Sequence, residues 1–173
     1  MNDAETQNPA PTPTPTAQRR DDIDRLIAVT WHGAGASDDA GRRHWLAAVD
    51  GSDCSLRSLS MVVRLVEVER SGAVDLVNVQ PWLVKEAAET ELPRRGWQAT
   101  AQARQLLDAA SIRWRLHVVM GEAAPEIARM AQALGSRGIA IGSHGLTAAE
   151  SLLLGSVAYQ VVHLAKGPVL IVR

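Results

Sequence analysis

Lysine is almost missing from this chain. Among 18 basic residues only Lys85 and Lys166 are lysines, and neither stands in a glycine-rich loop. No G-x-x-x-x-G-K-[ST] occurs, which excludes the phosphate loop that works through a lysine. Cysteine is equally scarce: Cys54 is single, so neither an intramolecular disulfide nor a cysteine-based zinc site can form, and a reducing cytoplasm is the expected home. The opening residues MNDAETQNPAPTP lack both a basic cluster and an apolar core, unlike a secretory leader. No apolar run reaches the roughly 18 residues that span a bilayer. Excess charge is missing too. A formal net charge of −1 argues against binding nucleic acid or an anionic membrane through bulk charge.

What is present is a core. The 173 residues are 46% hydrophobic and 21% charged, as in a soluble domain of ordinary size with some length to spare. Residues 1–40 divide off as an extension. The stretch PAPTPTPT has too little apolar surface to offset its ordering entropy, so residues 1 to about 20 are expected to be disordered. Ile23, Leu26 and Ile27 suit one face of a short helix, whereas LIAVTW suits a strand equally well. GAGASDDAG then reads as a linker.

From residue 41 onward the pattern becomes regular. HWLAAVD (44–50) is a short apolar run, followed by Leu56, Leu59, Val63 and Val66 at helical spacing. AVDLVNV (73–79) is a second strand. An irregular segment from Pro81 to about Gly96 precedes a helix carrying Ala99, Ala103, Leu106, Leu107 and Ala110. WRLHVVM (114–120), a helix with Pro125 in its first turn, and GIAI (138–141) come next. A last helix stops at Gly167-Pro168 before the closing strand VLIVR. Such alternation points to a parallel sheet with helices on both faces. Ligands of open α/β sheets bind beyond the C-terminal strand ends, which here are marked by Asp50, Val79, Met120 and Gly142.

The residues best suited to chemistry lie in IAIGSHGLTAAESLLLGSVAYQVV (139–162). Gly142 ends a strand, Gly145 follows, and Gly155-Ser156 opens a helix. Glycine lets backbone N–H groups approach an anion closely and makes positive φ accessible. A helix start adds unpaired N–H groups and the positive end of its dipole. The competing reading is a tight turn with Ser156 as N-cap. A dinucleotide G-x-G-x-x-G fails at Gly33-Ala34-Gly35, because Asp38 occupies the third glycine position.

The spacing Gly142-x-x-Gly145, nine residues, then Gly155-Ser156 resembles the nucleotide-binding signature of the universal stress protein family. HWLAAVDGSDCS, DLVNVQP, GEAAPEIARMA and GPVLIVR resemble its other blocks in register. The resemblance implies a Rossmann-like three-layer α/β sandwich over residues 41–173, with a five-stranded parallel sheet in the order 3-2-1-4-5. It also implies a regulatory stress-response protein that binds ATP, with or without Mg²⁺, as a homodimer through residues 168–173. Carried over by position, Asp50 and Val79 would meet the base or nucleoside and Ala48 the pocket floor. Ile141 and Gly142 would meet the ribose, and Gly145, Gly155, Ser156 and Val157 the phosphates. The chain departs from the family pattern at Arg137, where an acid is frequent, and at Gly138, where a larger apolar residue is usual. An effect on stability is expected from both.

Several residues keep two readings. Asp50 suits a helix cap or an acceptor for turn N–H groups as well as a ligand contact, and His144 suits a solvated loop position as well as a phosphate contact. Cys54 reads as a small packed residue near a helix start, where a lowered thiol pKa would allow redox chemistry. His163 has no metal-ligating partner at i+4, so no metal site is expected. Trp31, Trp82 and Trp97 read as anchors of irregular segments or as contacts for a partner. Turnover would need a base and cationic charge on the γ-phosphate, and the loop offers only His144 and Glu150. No catalytic residue is therefore assigned, and slow ATP hydrolysis is the most this site would support. A nucleotide-free dimeric scaffold is the other alternative.

Overall fold

A computed structural model of the chain describes residues 11–34, 44–69, 72–146 and 154–173. The start of the expected disordered tail, most of the expected linker, and Glu150 lie outside the described residues. Seven strands and five helices follow in the order β1 (Ala17–Arg20), β2 (Leu26–His32), β3 (Trp45–Ala48), α1 (Asp53–Glu69), β4 (Ala73–Gln80), α2 (Lys85–Ala99), α3 (Ala101–Ala109), β5 (Arg113–Met120), α4 (Ala123–Ala133), β6 (Gly138–Gly142), α5 (Ser156–Leu164) and β7 (Val169–Val172).

They build one sheet in the order β1-β2-β5-β4-β3-β6-β7. β5, β4, β3, β6 and β7 run parallel to their neighbours, whereas β2 lies antiparallel on β5 and β1 antiparallel on β2. The expected five-stranded, all-parallel sheet is thereby corrected to a mixed sheet of seven strands. Both additional strands come from the segment assigned to the N-terminal extension. A bare β5 edge would expose a row of unpaired N–H and C=O groups, and LIAVTWH supplies a β-branched and aromatic strand to cover it. The turn between β1 and β2 is built by Asp21, whose Oδ1 accepts from the N–H groups of Ile23 (3.2 Å) and Arg25 (2.9 Å). Asp24 takes φ 61° there, a left-handed conformation that aspartate tolerates.

Strand alternation feeds two cores. On one face Val29, Trp31, Val74, Leu76, Leu116 and Val118 pack under α1, α2 and α3. On the other, Leu46, Ala48, Val77, Ile139 and Ile141 pack under α4 and α5. The result is three layers. The segment expected to be irregular up to Gly96 is instead helical, α2 running through Pro93. Proline and glycine punctuate sequences because each disfavours a helix interior. Here Ala88, Leu92 and Gly96 form a buried stripe at i, i+4 and i+8, and burial outweighs propensity. Gly96 carries the closest approach: a Cβ there would lie 2.4 Å from the Val118 side chain. The extension is anchored by aromatic packing. Trp31 on β2 packs with its ring tilted against Trp97 of α2, centroids 5.2 Å apart, and Trp97 in turn lies 6.4 Å from Trp114 of β5. Arg104 sits 3.3 Å over the Trp97 ring, and Trp31 Nε1 donates to the Pro13 carbonyl at 3.0 Å. Two of the three tryptophans expected in irregular segments thus belong to regular elements. Trp82 stays outside them, 56% exposed, with the Arg25 guanidinium 4.8 Å from its ring.

Toward the N-terminal ends of the parallel strands lies a buried charge. Asp75 on β4 is 1% exposed and accepts from Arg115 Nε at 2.7 Å and Nη2 at 2.9 Å. His117 and His44 approach it at 3.5 and 3.6 Å, and His117 Nδ1 lies 3.2 Å from the Thr30 hydroxyl of β2. Burial alone would raise the Asp75 carboxyl. Hydrogen bonds from His117 and Arg115 and their charges more than offset that, and the net direction is down.

At the departures from the family pattern, the Arg137 N–H donates to the His44 carbonyl at 2.9 Å and its guanidinium pairs with Glu69 at 2.9 Å. A Cβ on Gly138 would lie 2.6 Å from the Trp45 ring. The missing side chain makes room for that indole.

Candidate functional site

The strand ends converge on one cleft of about 270 Å³, near the lower size of small-molecule sites. Each position named from the sequence lines it: Ala48 and Asp50 after β3, Val79 on β4, Ile141 and Gly142 on β6, Gly145 in the loop, and Gly155, Ser156 and Val157 at the start of α5. Tertiary structure adds Ser55 of α1, Ser143, Leu146, and Ala123 with Ile127 of α4. The α4 pair lies at i and i+4 just after β5, which marks a shared helix face but not which cleft that face meets.

The glycines have a specific cause. None of Gly142, Gly145 and Gly155 adopts a positive φ, so the expected conformational reason is replaced by one of space. A Cβ on Gly142 would sit 2.7–2.8 Å from the backbone and Cβ of Cys54 and the nitrogen of Ser55. On Gly145 it would meet the Asp50 carboxylate at 2.7 Å, and on Gly155 the Ser143 carbonyl at 2.9 Å. The Gly155 N–H donates to that same carbonyl at 2.8 Å, closing the loop on itself.

Asp50 organises the facing wall. Its Oδ1 accepts from the Ser52 N–H (3.0 Å) and hydroxyl (2.6 Å), and its Oδ2 from the Leu146 N–H (3.2 Å). Ser52 Oγ then accepts from the Ser55 N–H at 3.2 Å, satisfying one of the unpaired donors at the start of α1. The turn role weighed for Asp50 is therefore occupied by the geometry, and Ser52 rather than Asp50 caps the helix. Gly155 is the N-cap of α5 and makes no side-chain cap bond. Ser156 is the first helical residue, so its hydroxyl is not spent on capping and lines the cleft beside the helix start. That start supplies N–H donors and the positive dipole end.

Histidines and cysteine fall in ordinary places. His144 Nδ1 lies 3.0 Å from the Ser143 hydroxyl. His163 Nδ1 lies 2.9 Å from the Tyr159 carbonyl one turn earlier, with the two rings 4.4 Å apart. Cys54 Sγ accepts from Arg57 Nη2 at 2.9 Å. Among the described residues no helix is long and apolar enough to cross a membrane.

The universal stress protein family model matches residues 41–173. The universal stress protein YxiE of Bacillus subtilis is 28% identical over 144 residues, which cover 74% of this chain and 97% of that protein. Among solved structures, a universal stress protein in complex with cAMP is similar at a TM-score of 0.60 and 23% identity, covering 76% of this chain and 97% of that one. The universal stress protein of Archaeoglobus fulgidus in complex with dAMP is similar at a TM-score of 0.58 and 19% identity, covering 76% and 98%. A sheet wound to bring a glycine loop and a helix start against the Asp50 turn, together with a family match across residues 41–173, places this chain in the universal stress protein family.

Proposed function

We propose that the cleft binds an adenine nucleotide and that the chain is a regulatory stress-response protein changing its contacts with nucleotide occupancy. The supporting observation is the convergence of Ala48, Asp50, Val79, Ile141, Gly142, Gly145, Gly155, Ser156 and Val157 on one cleft headed by the α5 N-terminus. Similar proteins solved with cAMP and dAMP support an adenine ligand. In this reading the base lies toward Asp50 and Val79, and the phosphate toward Gly145, Gly155 and Ser156. ATP, with or without Mg²⁺, is the nucleotide the sequence signature implies. The domain of residues 41–173 carries the site, and the extension of residues 1–40 is an addition to it.

The working unit is a homodimer. β7 is apolar, VLIV, and ends the sheet opposite the arginine-bearing β1. An uncovered apolar edge strand invites pairing with a second copy. The reducing cytoplasm is the matching compartment, and no nucleic acid or membrane is a partner.

Releasing ligand from the purified protein by denaturation tests the nucleotide reading. Intact adenine nucleotide in the supernatant supports it. ADP alone would point to turnover. Absence of nucleotide, with no binding at millimolar concentration, would leave the scaffold reading in its place.

A further inference from the structure

Two segments far apart in the chain turn apolar side chains into solvent at one corner of the fold. The loop after β4 reads PWLV (81–84). Leu83 points inward, packing on the core, and its N–H meets Met120 Sδ at 3.3 Å. Trp82 and Val84, on either side of it, are 56% and 67% exposed. The β1–β2 turn adds Ile23, 59% exposed. Arg25 over the Trp82 ring, and Lys85 Nζ 2.9 Å from the Ile23 carbonyl, hold the two segments together. None of the three apolar residues lines the cleft.

Single exposed apolar side chains are ordinary, whereas a group of them on a firm support marks an interaction surface. The support here is firm on both sides. Asp21 Oδ1 holds the turn through the N–H groups of Ile23 and Arg25, and Leu83 anchors the loop. A surface already ordered loses little freedom on binding, and tryptophan is enriched among the residues that dominate interfaces.

Charge names the partner. Arg20, Arg25 and Lys85 are each matched by an acid of the same surface: Glu89 at 2.6 Å, Asp21 at 2.8 Å and Asp24 at 3.4 Å. Asp22 and Glu86, close in the chain to Ile23 and Val84, are exposed and unmatched among the described residues. Arg19 faces the other side of the sheet, in register with Ala28, which packs on the second core. The surplus around the apolar centre is therefore negative, and an indole face itself attracts cations.

We propose that this surface docks a basic amphipathic segment of a partner protein. Its apolar residues cover Ile23, Trp82 and Val84, and its lysines or arginines meet Asp22 and Glu86. Asp22 and Ile23 belong to the extension, whereas Trp82, Val84 and Glu86 belong to the domain of residues 41–173. Neither part forms the surface alone. The surface is separate from the cleft and stands whether or not a nucleotide binds there.

Calorimetric titration of the full chain with a helical amphipathic peptide of leucine and lysine tests this, beside a counterpart carrying glutamate for each lysine. The lysine peptide is expected to bind and the glutamate peptide is not. Trp82→Ala, and separately Asp22→Lys with Glu86→Lys, should weaken the lysine peptide about tenfold or more. Val68→Ser, at an 84% exposed position on α1, should leave its affinity unchanged. Every substituted side chain is exposed, so circular dichroism is expected to report the wild-type fold. No binding of the lysine peptide, equal binding of both peptides, full affinity in Trp82→Ala or an equal loss in Val68→Ser would overturn the proposal. So would a dimer that Trp82→Ala dissociates in sedimentation, because a second copy of this chain would then be the occupant.

Discussion

Asp50 and Leu146 are 96 positions apart in sequence, and the Leu146 N–H donates to Asp50 Oδ2 at 3.2 Å. This bond ties the end of β3 to the glycine loop after β6. The other carboxylate oxygen holds the Ser52 turn. One side chain therefore sets the width of the cleft from both sides.

Asp50→Ala is expected to cost about 1–2 kcal/mol of stability, since it removes charge-assisted hydrogen bonds that are only partly buried. It should also weaken nucleotide binding by about tenfold through the freed loop. Urea unfolding and calorimetry read the two effects separately. Unchanged values in both would show that the Asp50 bonds are incidental.

Gly142→Ala places a methyl group 2.7–2.8 Å from the Cys54 and Ser55 atoms at the start of α1. Overpacking of that kind costs about 1–3 kcal/mol, and a lowered melting temperature is the expected readout. By contrast, Gly155→Val with Ser156→Ala acts at the loop closure and the α5 start. It is expected to abolish nucleotide binding while circular dichroism still reports the folded domain. Wild-type affinity in that double variant would refute the assignment of the loop.

Trp31→Ala opens a hole at a side chain only 3% exposed, and about 3–5 kcal/mol should be lost. Because Trp97 and Trp114 share the cluster, tryptophan emission should shift to the red. An unshifted spectrum and unchanged unfolding midpoint would mean that the extension is not anchored through this residue.

Asp75 gives stability a defined acid limb. Its folded pKa lies below the ordinary carboxyl value, so the unfolded chain takes up the proton first. The contribution is full above about pH 4 and is lost as the pH falls through the depressed folded value. Asp75→Asn is expected to cost about 2–4 kcal/mol near neutrality. Arg115, with its side chain 25% exposed, retains some hydration and keeps the figure below that of a wholly buried pair. The variant's melting temperature should also fall less steeply between pH 5 and 3, a window of about two units around the unfolded carboxyl value. Parallel pH profiles for the two proteins would rule out this role for Asp75.

Sedimentation velocity at micromolar concentration is expected to show a dimer assembled through β7. A monomer under those conditions would count against pairing of that edge.

Local pattern carried the parallel α/β core and the ingredients of the site. Val and Ile runs ended in turns, helices showed apolar spacing, and Gly142, Gly145, Gly155 and Ser156 stood at strand and helix ends where an anion site is built. These signals are legible because they depend on neighbours a few residues away. Other features depend on partners that no local window contains. LIAVTWH suited helix and strand alike until the bare edge of β5 took it as a strand. Pro93 and Gly96 spoke against a helix until Val118 and the sheet offered a surface worth burying Ala88 and Leu92 against. Asp50 was legible as a site residue, but its grip on Leu146 was not. Contacts of that kind join positions far apart in the chain, and only the fold brings their atoms within hydrogen-bond reach.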